Sequence, residues 1–324
     1  MPSARLTVRP AVMTTLGAML SAGLSAVSAT GAAAQERQPV VGWRGLLDVY
    51  IDETGFMALN PMDLTFAPPP PLDARMTVKS VDGGAVAEWS FYPDYINADA
   101  VFARMQPANP ADHAFEVGDY VAETTVAGAT ASRMTFSVVS KSTSDDPFDP
   151  GETLTFEGPW QRFGYFTFTP YAKAAREAVE LHFWAGLSDA PAGAARAPLR
   201  VEVMRNGEII GHNRKSVPTL GGAWMDRQAA PLFEPHKDND PNALPLAKSD
   251  LERDGTYAVT ITRDGDGAVI RQFRFVSAGG KMTPHPRTVP GYEPHTDYIT
   301  PRVIREGTTG YDFEEAFWLE GEVE

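Results

Sequence analysis

The side chains best suited to proton transfer or metal binding are six scattered histidines. His285 and His295, with Asp297, could share a metal, but two imidazoles ten residues apart in a proline-rich stretch have no fixed geometry. Solvated side chains are expected there. His182 lies between Leu181 and Phe183, where a hydrogen-bonded strand histidine is expected rather than a catalyst. Glu314 and Glu315 are adjacent, so on a strand they point to opposite faces, which is poor geometry for a shared acid and base. Asp145, Asp146 and Asp149, with Asp238 and Asp240, offer carboxylate oxygens of the kind calcium takes. Neither run has the alternating ligands and closing Glu of a calcium loop, so solvated acidic segments are expected. The chain also lacks G-x-S-x-G, H-E-x-x-H, G-x-x-x-x-G-K-[ST] and a G-x-G-x-x-G leading into a helix. No catalytic, cofactor-binding or metal-binding residue is assigned, and no cofactor is expected.

Trp160, Phe163, Tyr165, Phe166, Phe168 and Tyr171 form the densest aromatic run. They fall at both odd and even positions, so they cannot all lie on one face of a strand. Some could form an exposed platform for sugar rings. Alternatively, the strand is covered on both sides, by its own core and by a neighbouring domain or the C-terminal segment. The second reading is favoured, because large apolar side chains usually mark packing.

The elements that would position these residues read as strands. Tyr257, Val259 and Ile261 alternate with Ala258, Thr260 and Thr262, and the turn 263–267 leads into Val269 to Phe275, a hairpin pattern. Tyr120 and Phe136 lie in a similar hairpin, and one ungapped shift of 137 residues superimposes them on Tyr257 and Phe273. A shorter match precedes each hairpin: Arg75 to Lys79 before Asp82-Gly83, and Arg200 to Met204 before Asn206-Gly207. Two diverged units are the simplest explanation. Further strands are expected at 46–51, 57–59, 64–66, 86–91, 153–157, 180–184 and 208–211. A short helix is expected over Asn97 to Met105, and Ala172 to Val179 is ambiguous.

Residues 1–34 read as an export signal, with Arg5 and Arg9, an uncharged segment from Ala11 to Ala29, and Ala32-Ala33-Ala34 before Gln35. Its many small residues make it weakly apolar, so cleavage is favoured over stable membrane insertion. A β-sandwich domain is expected over 40–142, a polar linker over 143–151, and a second sandwich over 152–280. The segment 281–324 is expected to run extended through its prolines and to end in a strand that docks in cis. Tyr311, Phe313, Phe317 and Leu319 share one phase of that strand, and docking would cover surplus aromatics of the 160–171 run. The rival reading is a free tail that adds a strand to a partner.

The chain has no Cys, so disulfides and thiolate chemistry are excluded. The formal charge of −14 becomes −16 once Arg5 and Arg9 leave with the signal. No basic cluster is present, which argues against nucleic acid as a partner.

Leu251 to Tyr257, and less closely Phe115 to Tyr120, resemble the entrance to the penultimate strand of immunoglobulin-like and fibronectin type III-like domains. In those domains a Tyr near the strand start closes a corner through its hydroxyl. The resemblance implies an all-β fold of two tandem sandwiches. It implies nothing about activity, because the architecture hosts many roles. The leading expectation is a non-catalytic periplasmic or secreted protein that binds or scaffolds another protein. A carbohydrate-binding module using the Trp160 to Tyr171 aromatics and an enzyme without a recognised motif are the alternatives.

Overall fold

In the computed structural model the described residues lie between Gly42 and Gly321, within the unit Gln38–Glu324. Residues 1–41 and 322–324 are outside the description. So are connections that include 44–47, 52–56, 61–62, 67–72, 97–100, 108–114, 143–147, 149–150, 190–195, 215–217, 222–225 and 289–302. The expected signal segment, the acidic residues Asp145, Asp146, Asp149 and Asp238, and the pair His295 and Asp297 therefore lie outside the described residues.

In chain order the strands begin with β1 (Gly42–Trp43), β2 (Asp48–Ile51), β3 (Met57–Asn60), β4 (Asp63–Phe66), β5 (Ala74–Ser80), β6 (Ala85–Ile96) and β7 (Val101–Pro107). Next come β8 (Gly118–Val126), β9 (Ala129–Ser142), β10 (Glu152–Glu157), β11 (Phe163–Tyr171), β12 (Arg176–Ala185), β13 (Arg196–Arg205) and β14 (Glu208–Asn213). They end with β15 (Thr219–Gly221), β16 (Asp226–Phe233), β17 (Gly255–Arg263), β18 (Val269–Ala278), β19 (Lys281–Met282), β20 (Val303–Gly307), β21 (Gly310–Glu314) and β22 (Phe317–Glu320). A single helical turn, α1 (Lys248–Leu251), precedes β17.

The protein is all-β, and its pairing gathers the strands into two large antiparallel sheets and two separate hairpins, β2–β3 and β20–β21. The first sheet runs β1-β4-β7-β6-β5-β8-β9-β10. The second runs β19-β18-β17-β13-β14-β16-β12-β11-β22, with β15 on β13. It curls until its ends approach, and Gly321, just after β22, bridges Phe273 of β18. A Cβ at Gly321 would stand 2.6 Å from the Gln272 carbonyl oxygen, so only glycine lets the two backbones close there.

Alternation along the strands fills two cores. Val201, Val203, Leu232, Val259, Ile261 and Phe273 fill the inside of the curl, together with Leu181, Phe183 and Leu251. Met76, Val78, Trp89, Ala122, Met134 and Phe136 of the first sheet pack instead against Trp160, Phe163, Tyr165, Trp184 and Trp318 from the second. The strands β12, β11 and β22 thus feed both cores. Phe163 and Tyr165 face one and Phe166 the other; Trp184 faces one and Phe183 the other; Trp318 faces one and Phe317 with Leu319 the other.

The two similar units share a pairing order, β6-β5-β8-β9 in one sheet and β14-β13-β17-β18 in the other. Tyr120 stands opposite Ser80, and Tyr257 opposite Arg205, so the upstream matches fall in the same register. Each tyrosine closes a corner. The Tyr120 hydroxyl donates to the Glu116 carbonyl at 2.8 Å and accepts from the Glu116 N–H at 3.1 Å. The Tyr257 hydroxyl donates to the Arg253 carbonyl at 2.6 Å and lies 2.8 Å from that of Asp250. One part of the sequence match shifts. Tyr120 pairs with and stacks on Phe136, but Tyr257 pairs with and stacks on Phe275 rather than Phe273, because the second hairpin carries two more residues in its turn.

Other differences follow from long-range pairing. Of the helix expected over 97–105, residues 97–100 lie outside the described residues and residues 101–105 belong instead to β7, which pairs with both β6 and β4. The ambiguous stretch 172–179 leads into β12. Residues 152–157 form β10 and hydrogen-bond to β9, so this strand belongs to the first sheet by its pairing. At the other end of the chain β22 pairs with β11, Tyr165 opposite Trp318 and Phe166 opposite Phe317.

Two outcomes test these contacts. Tyr257→Phe is expected to lose about 1–2 kcal/mol of stability and Tyr120→Phe about 1 kcal/mol, read from melting temperature; parent-like melting in both would remove the corners from the stability account. Truncation after Gly307 uncovers β11 and opens both cores, at about 1.5–3 kcal/mol for each large side chain lost. It should lower the melting temperature sharply and raise binding of an apolar dye.

Candidate functional site

The polar groups with the most chemical potential among the described residues gather where β11, β12, β16 and β22 meet. Tyr165, Thr167, Glu180 and His182 come from neighbouring strands in register, Tyr165 opposite His182 and Thr167 opposite Glu180. The imidazole of His182 stacks on the Tyr165 ring at 4.7 Å, and the Tyr165 hydroxyl accepts from Arg227 Nη1 at 2.9 Å. His182 is buried among them.

The arrangement does not build a hydroxyl nucleophile. A serine-type triad needs the hydroxyl on one imidazole nitrogen and the carboxylate on the other. Here Nε2 of His182 faces both the Thr167 hydroxyl, at 3.1 Å, and Glu180 Oε2, at 3.4 Å. Nε2 therefore carries the ring proton and has no lone pair with which to activate Thr167. Nδ1 is buried without a hydrogen-bond partner among the described residues. The hydrogen bond to His182 holds the Glu180 carboxyl below its usual range, against the opposing effect of burial. The cluster orients side chains at the rim of the aromatic core.

Next to it, a second cluster clamps the C-terminal strand. Glu320 pairs with Arg162, and its other oxygen accepts from His285 Nε2 at 2.8 Å. His285 Nδ1 in turn accepts from the Arg287 N–H at 3.1 Å, which fixes the proton on Nε2. The guanidinium of Arg287 is buried over the Phe163 ring at 4.2 Å and the Trp318 ring at 5.0 Å, a desolvated cation on aromatic faces. The Gly321 N–H donates to the Arg162 carbonyl at 2.7 Å.

Two further buried polar groups fasten the curl. Asp189 takes both Nη atoms of Arg271 at 3.0 Å, and Arg271 Nη2 also donates to the Trp184 carbonyl at 3.1 Å, tying β12 to β18. His212 and His236 stack at 4.2 Å. His212 Nε2 accepts from the His236 N–H at 3.3 Å, and Nδ1 lies 2.8 Å from the Asn213 carbonyl, so both ring nitrogens are used in the neutral form.

The sequence singled out two of these histidines, His182 as a hydrogen-bonded strand residue and His285 as a solvated one. His182 lies in β12 and is hydrogen-bonded, to Thr167. His285 is partnered by Glu320, thirty-five residues away, rather than solvated. No group of three or more His, Asp or Glu side chains is placed to hold a metal among the described residues. Trp160, Phe163, Tyr165 and Phe166 are buried, so their ring faces are occupied by protein. Tyr171, at the far end of the run, is half-buried. Sequence reasoning missed Trp318 and Arg287. The available signal was that Trp318 occupies the opposite phase from Phe317 and Leu319, which marks a strand covered on both faces.

No helix among the described residues is long and apolar enough to cross a membrane. Neither a family model, nor a curated protein, nor a solved structure matches the chain.

The clamp gives a pH dependence with a definite sign. Burial alone would raise the Glu320 carboxyl, but the hydrogen bond from His285 and the charge of Arg162 outweigh it and hold it below the usual carboxylate range. A depressed folded value means that Glu320 adds stability in full above the unfolded value of about 4.3, and that the contribution is lost as pH falls through the folded value. Glu320→Gln should therefore melt roughly 2 °C below the parent at neutral pH. The gap should close as the pH drops below about 4. A gap that stays constant into strong acid would show that the carboxylate is not the anchor.

Proposed function

We propose that this chain is an exported, non-catalytic protein of the cell envelope or exterior, and that it binds or scaffolds a partner protein. In this reading its two units, each with a tyrosine corner, are immunoglobulin-like sandwiches in tandem, and residues 1–34 are removed on export. The supporting observation is the edge strand β10. It ends the first sheet, is hydrogen-bonded to β9 on one side, and carries exposed Glu152 and Glu157 near its ends with half-buried Leu154 between them. An edge of this kind recognises an extended segment by strand addition. The acidic residues favour a partner segment bearing Lys or Arg, in keeping with the formal charge of −14.

The sheet behind this edge is well suited to holding it. Trp89, Phe136 and Val138 pack on Trp160, Tyr165 and Trp318, so the first sheet is braced by the second. A rigid edge loses little conformational entropy on binding.

A photo-crosslinking residue placed at Glu157 of the full chain in cells tests the reading. The expected result is a discrete adduct with one exported protein from Glu157, and none from the same residue placed at exposed Glu208 in the second sheet. The processed chain should begin at Gln35. Adducts from both positions alike, or none from Glu157, would overturn the edge as the binding surface; retention of the chain in the cytoplasm would overturn export.

A further inference from the structure

Five residues beyond the clamped part of β11, a groove of about 490 Å³ opens between the end of the β11–β12 hairpin and α1. Its size falls within the range of small-ligand sites. Tyr171, Arg176 and Glu177 form one wall, and Lys248, Ser249 and Glu252 the other.

The walls are held in place by contacts behind them. Arg176 Nη1 donates to the Pro245 carbonyl at 3.0 Å and pairs with Glu234. The Val179 N–H donates to the Leu246 carbonyl at 3.0 Å, and Ala178 bridges Ala247. Leu246 and Leu251 are buried, which anchors α1 to the curled core. The hairpin end is shaped by Ala175, which lines the groove at φ 48°, a left-handed conformation that is uncommon for a residue with a Cβ. Such strain persists where surrounding structure enforces it, and ligand clamps are among the places where it clusters. The groove is therefore preformed.

Its charge selects the ligand class. Arg176 is already paired with Glu234, and Lys248 stands between Glu177 and Glu252 on the walls, so an anion meets two carboxylates and a cation meets the Lys248 ammonium. Lys248 Nζ stands 3.6 Å from Glu177 Oε2 and 3.7 Å from Glu252 Oε1. These are ion pairs too long for good hydrogen bonds, so ammonium hydrogens and carboxylate lone pairs remain to be shared with a ligand. Hydroxyl groups fit both, because each can donate to a carboxylate and accept from the ammonium. The Tyr171 ring adds an apolar surface of the kind that packs on the C–H face of a sugar.

We propose that this groove binds a neutral glycan, with Tyr171 as the stacking surface and Glu177, Lys248 and Glu252 as hydroxyl partners. The site is distinct from the buried aromatics Trp160 to Phe166 and from the β10 edge. It requires neither catalysis nor a metal.

Calorimetric titration of the exported full chain with maltotriose, cellotriose, mannotriose and chitotriose tests the proposal, with trigalacturonate as the charged control. At least one neutral trisaccharide should bind saturably below about 10 mM, and trigalacturonate more weakly or not at all. Tyr171→Ala should weaken binding about tenfold. Glu177→Gln should weaken it about fivefold through loss of a charge-assisted hydrogen bond. Ser249→Trp, at an exposed position on the groove wall, should block binding while leaving the melting temperature as in the parent, which separates a filled site from a misfolded one. Absence of saturable binding by all four neutral sugars would overturn the proposal. So would binding that survives Ser249→Trp, or tighter binding of trigalacturonate than of any neutral sugar.

Discussion

The structure depends on a seam of three strands, β12, β11 and β22, that is buried on both faces. Most strands of an antiparallel sheet have one apolar and one polar face. Here the middle of β11 has none to spare: Phe163 and Tyr165 serve the core shared with the first sheet, and Phe166 serves the core inside the curl. Gly164 lies between them because a Cβ there would come within 2.8 Å of Phe273. A residue at this seam therefore couples two cores, and the same three strands brace one sheet against the other. The chain has no Cys, so no cross-link shares this task, and packing has to supply the rigidity.

The seam also explains why the polar clusters are where they are. A strand buried on both faces must change to polar side chains where the cover ends, and those groups need partners because leaving them unpaired in partial burial is costly. Along β12, Trp184 gives way to His182 and then Glu180, while along β11, Tyr165 gives way to Thr167. At the other margin, Trp318 gives way to Glu320, which takes Arg162 and His285. The clusters that look most like chemistry are thus the borders of an aromatic core. That origin accounts for the imidazole of His182 meeting both oxygens through one nitrogen, an arrangement suited to orientation rather than to proton relay.

Much of the fold was legible where the signal is local. Period-2 alternation located the hairpin strands, and the resemblance of Leu251 to Tyr257 and of Phe115 to Tyr120 to an immunoglobulin-like strand entrance pointed to both corners. The two-phase aromatics of the 160–171 run pointed to cover on both sides. What was not legible was which strand pairs with which. Nothing in Thr153 to Glu157 says that it pairs back onto β9, and nothing in Val101 to Met105 says that β6 and β4 will take it as a strand. Arg271 and Asp189 are eighty-two residues apart, and Glu320 and Arg162 are 158 apart. Such pairs are fixed by register and closure of the sheet, so they become visible only once the curl is known. The two-residue difference between the hairpins is a milder case, because an ungapped match cannot register a longer turn.

The geometry of β11 separates structure from recognition along a single strand. Its first residues, Phe163 to Phe166, are fixed by β22, whereas Pro170 and Tyr171 lie beyond that pairing and line the groove with α1. At roughly 3.3 Å per residue, the five residues from Phe166 to Tyr171 span about 17 Å. Sites farther apart than about 10 Å with no shared partners usually act independently. The groove walls are held by Arg176, Pro245 and Leu246, none of which takes part in the C-terminal clamp. Substitutions at Glu320 should then change stability without altering the groove, and exposed substitutions at Ser249 should alter the groove without changing stability. That independence separates the exposed groove from the seam, where a side chain is constrained on both faces.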